Sequence, residues 1–236
     1  MYWEYILMGV ILIPGIIFAI VAQSKVNSTY NKYSKVLAQS GVTATQAARR
    51  VLDAAGLENV AIKTIEGKLT DYYSPKEKVV ALSQQGANSA SVAALGIALH
   101  EVGHAIQHEK NYFPLKFRNF VVGLSNVASK LLWPIVIVGL LLNFVWLEGF
   151  WGDLLLWAGV GFFGLAVVLN LATIPVEYNA SNRALAILKE TKILNEQELP
   201  GCKKVLRAAG LTYVAALVMA VLNLFRFLLI FIRRDD

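Results

Sequence analysis

The chain has 236 residues, 56% of them hydrophobic and 16% charged, with a formal net charge of +6 at pH 7. Its mean hydropathy of +0.54 and pI near 9.4 make it too apolar, and too unevenly so, for one soluble domain, and give it the composition of a membrane protein. Cationic faces meeting anionic lipid account for the charge without nucleic-acid binding. The lone Cys202 excludes an internal disulfide framework and any Cys-rich metal site.

Four stretches approach the roughly 20 apolar residues that a spanning helix needs: Tyr5 to Ala22, Leu131 to Leu147, Leu154 to Ile174, and Tyr213 to Ile232, the last interrupted by Arg226. The first carries Glu4 and no cation ahead of it, so it reads as an uncut anchor and not a signal peptide. Lys25, Lys32 and Lys35 follow it, and Glu148 and Asp153 are the only charges between the second and third stretches. The positive-inside rule then sets residues 25–125 and 177–212 in the cytoplasm, between an anchor at 1–24, a transmembrane hairpin at 126–176 and a C-terminal membrane helix at 213–236. This arrangement predicts a multi-pass protein of the inner (cytoplasmic) membrane.

After the anchor, Thr43 or Thr45 can cap a helix with helically spaced Ala47, Ala48, Val51, Leu52 and Ala55, and Gly56 can end it. Val60 to Ile65 and Lys78 to Leu82 read as hairpin-like strands separated by a loop, Glu66 to Glu77, punctuated by Gly67 and Pro75. An exposed strand edge just before the next helix could bind an extended peptide through its backbone, although a plain core sheet fits equally well.

That next helix carries the chemistry. All three histidines, His100, His104 and His108, fall within nine residues, and His100-Glu101-Val102-Gly103-His104 is an H-E-x-x-H pattern. One turn apart on a helix, the first two imidazoles face the same way and can hold one Zn²⁺, while Glu101 can take a proton from metal-bound water. The apolar run Ser89 to Leu99, with Ser89 or Ser91 as cap, supplies the helical context. His108 lies about 12 Å along the axis from His100, too far to share an ion with it, and no Gly turns the chain back as in a metzincin.

A carboxylate should complete the set. Glu4, Glu148 and Asp153 fall across the membrane, Glu109 sits on the motif helix but off the face shared by His100 and His104, and Glu190, Glu196 and Glu198 read as solvated. Asp53, Glu58, Glu66, Asp71 and Glu77 stay open on topology. Glu177 stands out because it follows Ile174-Pro175, where the third stretch leaves the membrane, among small and polar residues able to pack beside the motif helix.

Leu69-Thr70-Asp71-Tyr72-Tyr73-Ser74-Pro75, His100 to Gln107, Val176-Glu177 with Ala180-Ser181 and Arg183-Ala184, and Leu211-Thr212-Tyr213-Val214-Ala215 together resemble the bacterial membrane-bound neutral zinc metallopeptidases of the YugP-like family, over nearly the whole chain. That family is in turn similar to gluzincins of the HtpX and Ste24 type. The resemblance implies a mainly α, α+β fold: a gluzincin-like zinc-protease domain of helices plus a small sheet, joined to about four transmembrane helices. It implies one Zn²⁺ per chain held by His100, His104 and Glu177, with Glu101 as general base and a peptide or protein as substrate. Two positions depart from the pattern: Tyr72 and Ser74 stand where the family has His and Asp, and Ser181 stands where the HtpX-like pattern has an Asp four residues after the ligand Glu. Tyr213 or Arg183 could stabilise the developing oxyanion, Tyr213 being preferred, although a Tyr at that level is also an ordinary interfacial residue. The rival class is a non-enzymatic zinc-containing scaffold, which would need a fourth protein ligand that the sequence does not offer.

Overall fold

A computed structural model describes residues 9–146 and 150–232. Its elements, in chain order, are α1 (Ile13–Tyr33), α2 (Ala44–Ala54), β1 (Ala61–Ile65), β2 (Tyr72–Ser74), β3 (Val79–Ser83), the one-turn α3 (Gln84–Ala87), α4 (Val92–Glu109), α5 (Phe113–Trp146), α6 (Phe150–Glu190) and α7 (Leu199–Ile232). The protein is therefore mostly helical with one small sheet.

The chain divides into two compact units, one drawn from 1–20, 116–174 and 213–236, the other from 21–115 and 175–212. In the first, helices meet through glycines: a Cβ on Gly15 would stand 2.5 Å from Met219 Sδ, and one on Gly159 would run into the Phe227 ring. Among the described residues two helical stretches, Trp157–Glu190 and Leu199–Leu229, are long and apolar enough to cross a membrane, where the sequence led us to expect about four. The expected first span begins inside 1–8, and the second, 131–147, runs into 147–149, so both fall partly outside the described residues.

The second unit holds the core. Thr43 caps α2 with a reciprocal capping box to Gln46, two orphan donors satisfied at once. Gly56, at φ +72°, supplies the left-handed residue after the helix. One face of α2 (Ala44, Ala47, Ala48, Val51, Leu52) is buried, whereas Ala55, expected on that face, is its exposed C-cap. The α2 face joins Leu82, Leu95, Leu99, Val102, Leu188 and Leu206 in one core. Burying each such Leu contributes about 2 kcal/mol.

The sheet corrects the expected hairpin. Its order is β1-β3-β2, with β1 parallel to β3 and β2 antiparallel to β3. A parallel pair cannot be closed by a tight turn, and the segment read as loop therefore carries β2 on its way. The strand before the motif helix is the buried central one, paired on both sides over Val79–Ala81 and by β1 alone at Leu82 and Ser83. Just before β2 begins, the Asp71 side chain ties down the end of β3: its Oδ1 accepts from Ser83 N–H at 2.8 Å and from Ser83 Oγ at 3.2 Å.

Candidate metal centre

Helix α4 is started by Ser91, whose hydroxyl accepts from Ala94 N–H at 3.3 Å. Its apolar residues Leu95, Ala98, Leu99, Val102 and Ala105 are buried, which turns the His100 and His104 rings together, their centroids 4.7 Å apart and nearly perpendicular. Helix α6 passes alongside, burying Val176, Ala180, Ala184 and Leu188 at fourfold spacing. The approach is set by small residues. A Cβ on Gly103 would lie 2.9 Å from the Ala180 carbonyl oxygen, so glycine inside the H-E-x-x-H pattern lets the two backbones come close enough for Glu177 to reach the histidines.

Glu177 Oε2 stands 3.2 Å from His100 Nε2 and 3.5 Å from His104 Nε2, and one ligand atom from each of the three residues lies within 4.8 Å of the others. Ligands about 2.0 to 2.1 Å from a tetrahedral zinc sit roughly 3.4 Å from one another, so the Glu177 spacings fit such an ion. The carboxylates left open by the sequence lie elsewhere: Asp53 pairs with Arg49 and Glu77 with Lys63, Asp71 holds the end of β3, and Glu58 and Glu66 are exposed.

The opposite ring nitrogens have partners that the sequence did not reveal. His104 Nδ1 lies 3.0 Å from Gln107 Oε1, while Gln107 Nε2 donates to the Val176 carbonyl and to Asn179 Oδ1, both at 2.9 Å. A backbone carbonyl can only accept, so the amide nitrogen must face Val176 and the amide oxygen must face His104. The first His104 proton then sits on Nδ1, so Nε2 is the nitrogen that either takes a second proton and donates to Glu177 or, deprotonated, presents its lone pair to a metal. Gln107 is fully buried, and Arg183 Nε steadies the far end by donating to Asn179 Oδ1 at 2.8 Å. Ser181 Oγ lies 3.1 Å from His100 Nδ1, so the position that departs from the HtpX-like pattern still faces the first histidine.

Burial raises the Glu101 carboxyl above its ordinary value; the two imidazoles pull it down, and Glu177 and Asp71 push it up further. Its oxygens accept no hydrogen bond from the described residues, which keeps them available. Burial disfavours a charged His104, but the Glu177 hydrogen bond and the fields of Glu101 and Glu177 outweigh it and raise the ring. Burial likewise opposes ionised Glu177, which lies beyond the apolar stretch of α6, yet hydrogen bonds from His100 and His104 hold it well below the usual carboxylate range.

Of the remaining candidates, His108 is exposed and meets Tyr73 Oη at 3.2 Å through Nδ1. Arg183 is engaged by Asn179 and lies over the Tyr112 ring. Tyr213 belongs to the other compact unit. Cys202 is fully buried, and a Cβ on Gly96 of α4 would stand 2.6 Å from its Sγ, so it is a packing residue.

A helix carrying two histidines and a glutamate, faced by a carboxylate on another helix as the third candidate ligand, is the donor arrangement of a zinc peptidase. The chain belongs to the family described as "Putative neutral zinc metallopeptidase", whose model matches residues 8–232. It is 41% identical over 215 residues to the "Putative membrane protease YugP" of Bacillus subtilis (strain 168), covering 91% of this chain and 92% of that protein. No solved structure matches.

Proposed function

We propose that the chain is an integral membrane endopeptidase that hydrolyses peptide bonds with one zinc ion held by His100, His104 and Glu177. The observation that carries this reading is the convergence of both Nε2 atoms on Glu177 Oε2 at 3.2 and 3.5 Å. Zinc held there would supply the Lewis acidity that makes water nucleophilic near neutral pH and polarises a peptide carbonyl. Glu101, beside the ligands and accepting no hydrogen bond from the described residues, takes the proton from the attacking water and delivers it to the leaving amine. Three protein ligands leave a position open, whereas a structural scaffold site is closed by four; no fourth His, Cys, Asp or Glu joins the group among the described residues.

The Bacillus relative is named as a membrane protease, and two helical stretches here can cross a bilayer. With the cations of 25–35 and 183–207 flanking apolar stretches, the positive-inside rule supports an inner membrane location and a cytoplasm-facing site. A reporter fused near residue 90 that reads as extracytoplasmic would overturn that orientation.

The test of the reading is zinc analysis of the purified full chain together with cleavage of an unfolded peptide. About one zinc per chain, chelator-sensitive cleavage, and loss of both in Glu177→Ala are expected. Full zinc content in that variant removes Glu177 from the ligand set.

A further inference from the structure

Helices α1 and α7 flank, with Tyr178 of α6, an open cavity of about 670 Å³. Its lining carries four cations, Lys25, Lys32, Lys204 and Arg207, and the hydroxyls of Ser28 and Thr29, with no carboxylate. Neither α1 nor α7 contains an Asp or Glu anywhere along its length. Lys25, Lys204 and Arg207 form no ion pair among the described residues, and Lys32 lies only over the Tyr33 ring. Four cations gathered around one recess repel each other unless an anion sits among them.

The same cavity has an apolar side. One turn from Lys25 on the same face of α1 is Val21, 56% exposed, and the helix continues apolar back to Ile13. One turn from Arg207 on α7 is Leu211, which with Ala208 lines the cavity, and that helix continues apolar from Tyr213. On both helices the cation thus sits one turn from apolar surface on the side of the apolar stretch, exposed at Val21 and half-buried at Leu211, the order in which a phospholipid presents its phosphate and its acyl chains.

We propose that this cavity binds the phosphate headgroup of an anionic phospholipid, with Lys25, Lys204 and Arg207 as its principal contacts and the Val21 and Leu211 faces against the acyl chains. The site is distinct from the His100, His104 and Glu177 group and does not depend on zinc.

Native mass spectrometry of the detergent-solubilised full chain, titrated with phosphatidylglycerol or phosphatidylcholine, and a parallel titration with inorganic phosphate, test it. One phosphatidylglycerol should bind in preference to phosphatidylcholine and to phosphate. Each cation near an anionic headgroup contributes about a fivefold change in affinity, so Lys25→Ala/Lys204→Ala/Arg207→Ala should lose about 100-fold. The control Lys116→Ala/Arg118→Ala/Lys130→Ala removes the same charge from the other basic flank and should lose less than about threefold. Single Lys204→Gln and Arg207→Gln variants, each altering one exposed side chain, should lose about fivefold apiece with unchanged circular dichroism. Equal losses in test and control would mean diffuse attraction and overturn the site, as would unchanged affinity in both single variants. Phosphate binding as tightly as phosphatidylglycerol would overturn the lipid assignment.

Discussion

Gln107→Leu isolates the network that fixes His104. The substitution keeps a buried side chain of similar length but removes three hydrogen bonds, at 3.0, 2.9 and 2.9 Å. At about 1 kcal/mol for each neutral hydrogen bond, with partial compensation from the added apolar contact, folding stability should fall by about 2 kcal/mol. Zinc affinity should fall further, because the imidazole loses the acceptor that holds its proton on Nδ1; such outer partners are worth about 10- to 100-fold in metal affinity. Gln107→Glu separates the two effects. Its carboxylate can still accept from His104 but faces two acceptors, the Val176 carbonyl and Asn179 Oδ1, so it should cost more stability and less zinc affinity than Leu. Competition with a chromophoric chelator gives the affinities, urea unfolding gives the stabilities, and nitrogen-15 spectra of the histidines report the tautomer directly. A folded Gln107→Leu protein that binds zinc within twofold of the parent would refute the reasoning.

Gly103→Ala should lower stability by about 1 to 3 kcal/mol and weaken zinc binding, because its Cβ would meet the Ala180 carbonyl at 2.9 Å and force α4 and α6 apart; unchanged zinc affinity and melting temperature would contradict the close-approach argument. The pH dependence of the metal-free protein follows from His104. Its raised pKa in the folded state contributes stability that is fully present below about pH 6.5, the ordinary histidine value, and is lost as pH rises through the folded value. Metal-free protein should therefore melt lower as pH rises from neutrality, whereas zinc binding, which displaces that proton, should strengthen over the same range; parallel melting curves with and without chelator would rule this out.

The pairing of the proposed metal ligands on α4 was legible because a 3.6-residue period maps sequence spacing onto one face of a helix. His100 and His104 needed nothing more, and the distance along the axis set His108 aside. Glu177 stood out from its neighbours, but its approach depends on Gly103 meeting Ala180, a contact between residues 77 positions apart that no local pattern encodes. Gln107 was hidden for a related reason. Its spacing from His104 was visible, yet a glutamine near the end of a helix reads as a solvated polar residue until Val176 and Asn179 are brought to it. The sheet order escaped because β2 is only three residues long and its alternation is too short to register, so β1 and β3 looked like sequential hairpin partners. Ser181 was visible as a departure from the HtpX-like pattern, and the structure gives it a position 3.1 Å from His100 Nδ1.

Proteolysis by Glu101→Gln, measured on zinc-loaded protein, tests the central claim most directly. The amide is nearly the same size as the carboxylate and is not needed to hold the metal, so zinc content and fold should match the parent. It cannot accept a proton from water, and general-base assistance is worth about 10² to 10⁴ in rate, so turnover of an unfolded peptide should fall by at least that lower factor. A zinc-replete Glu101→Gln protein that cleaves as fast as the parent would contradict the account.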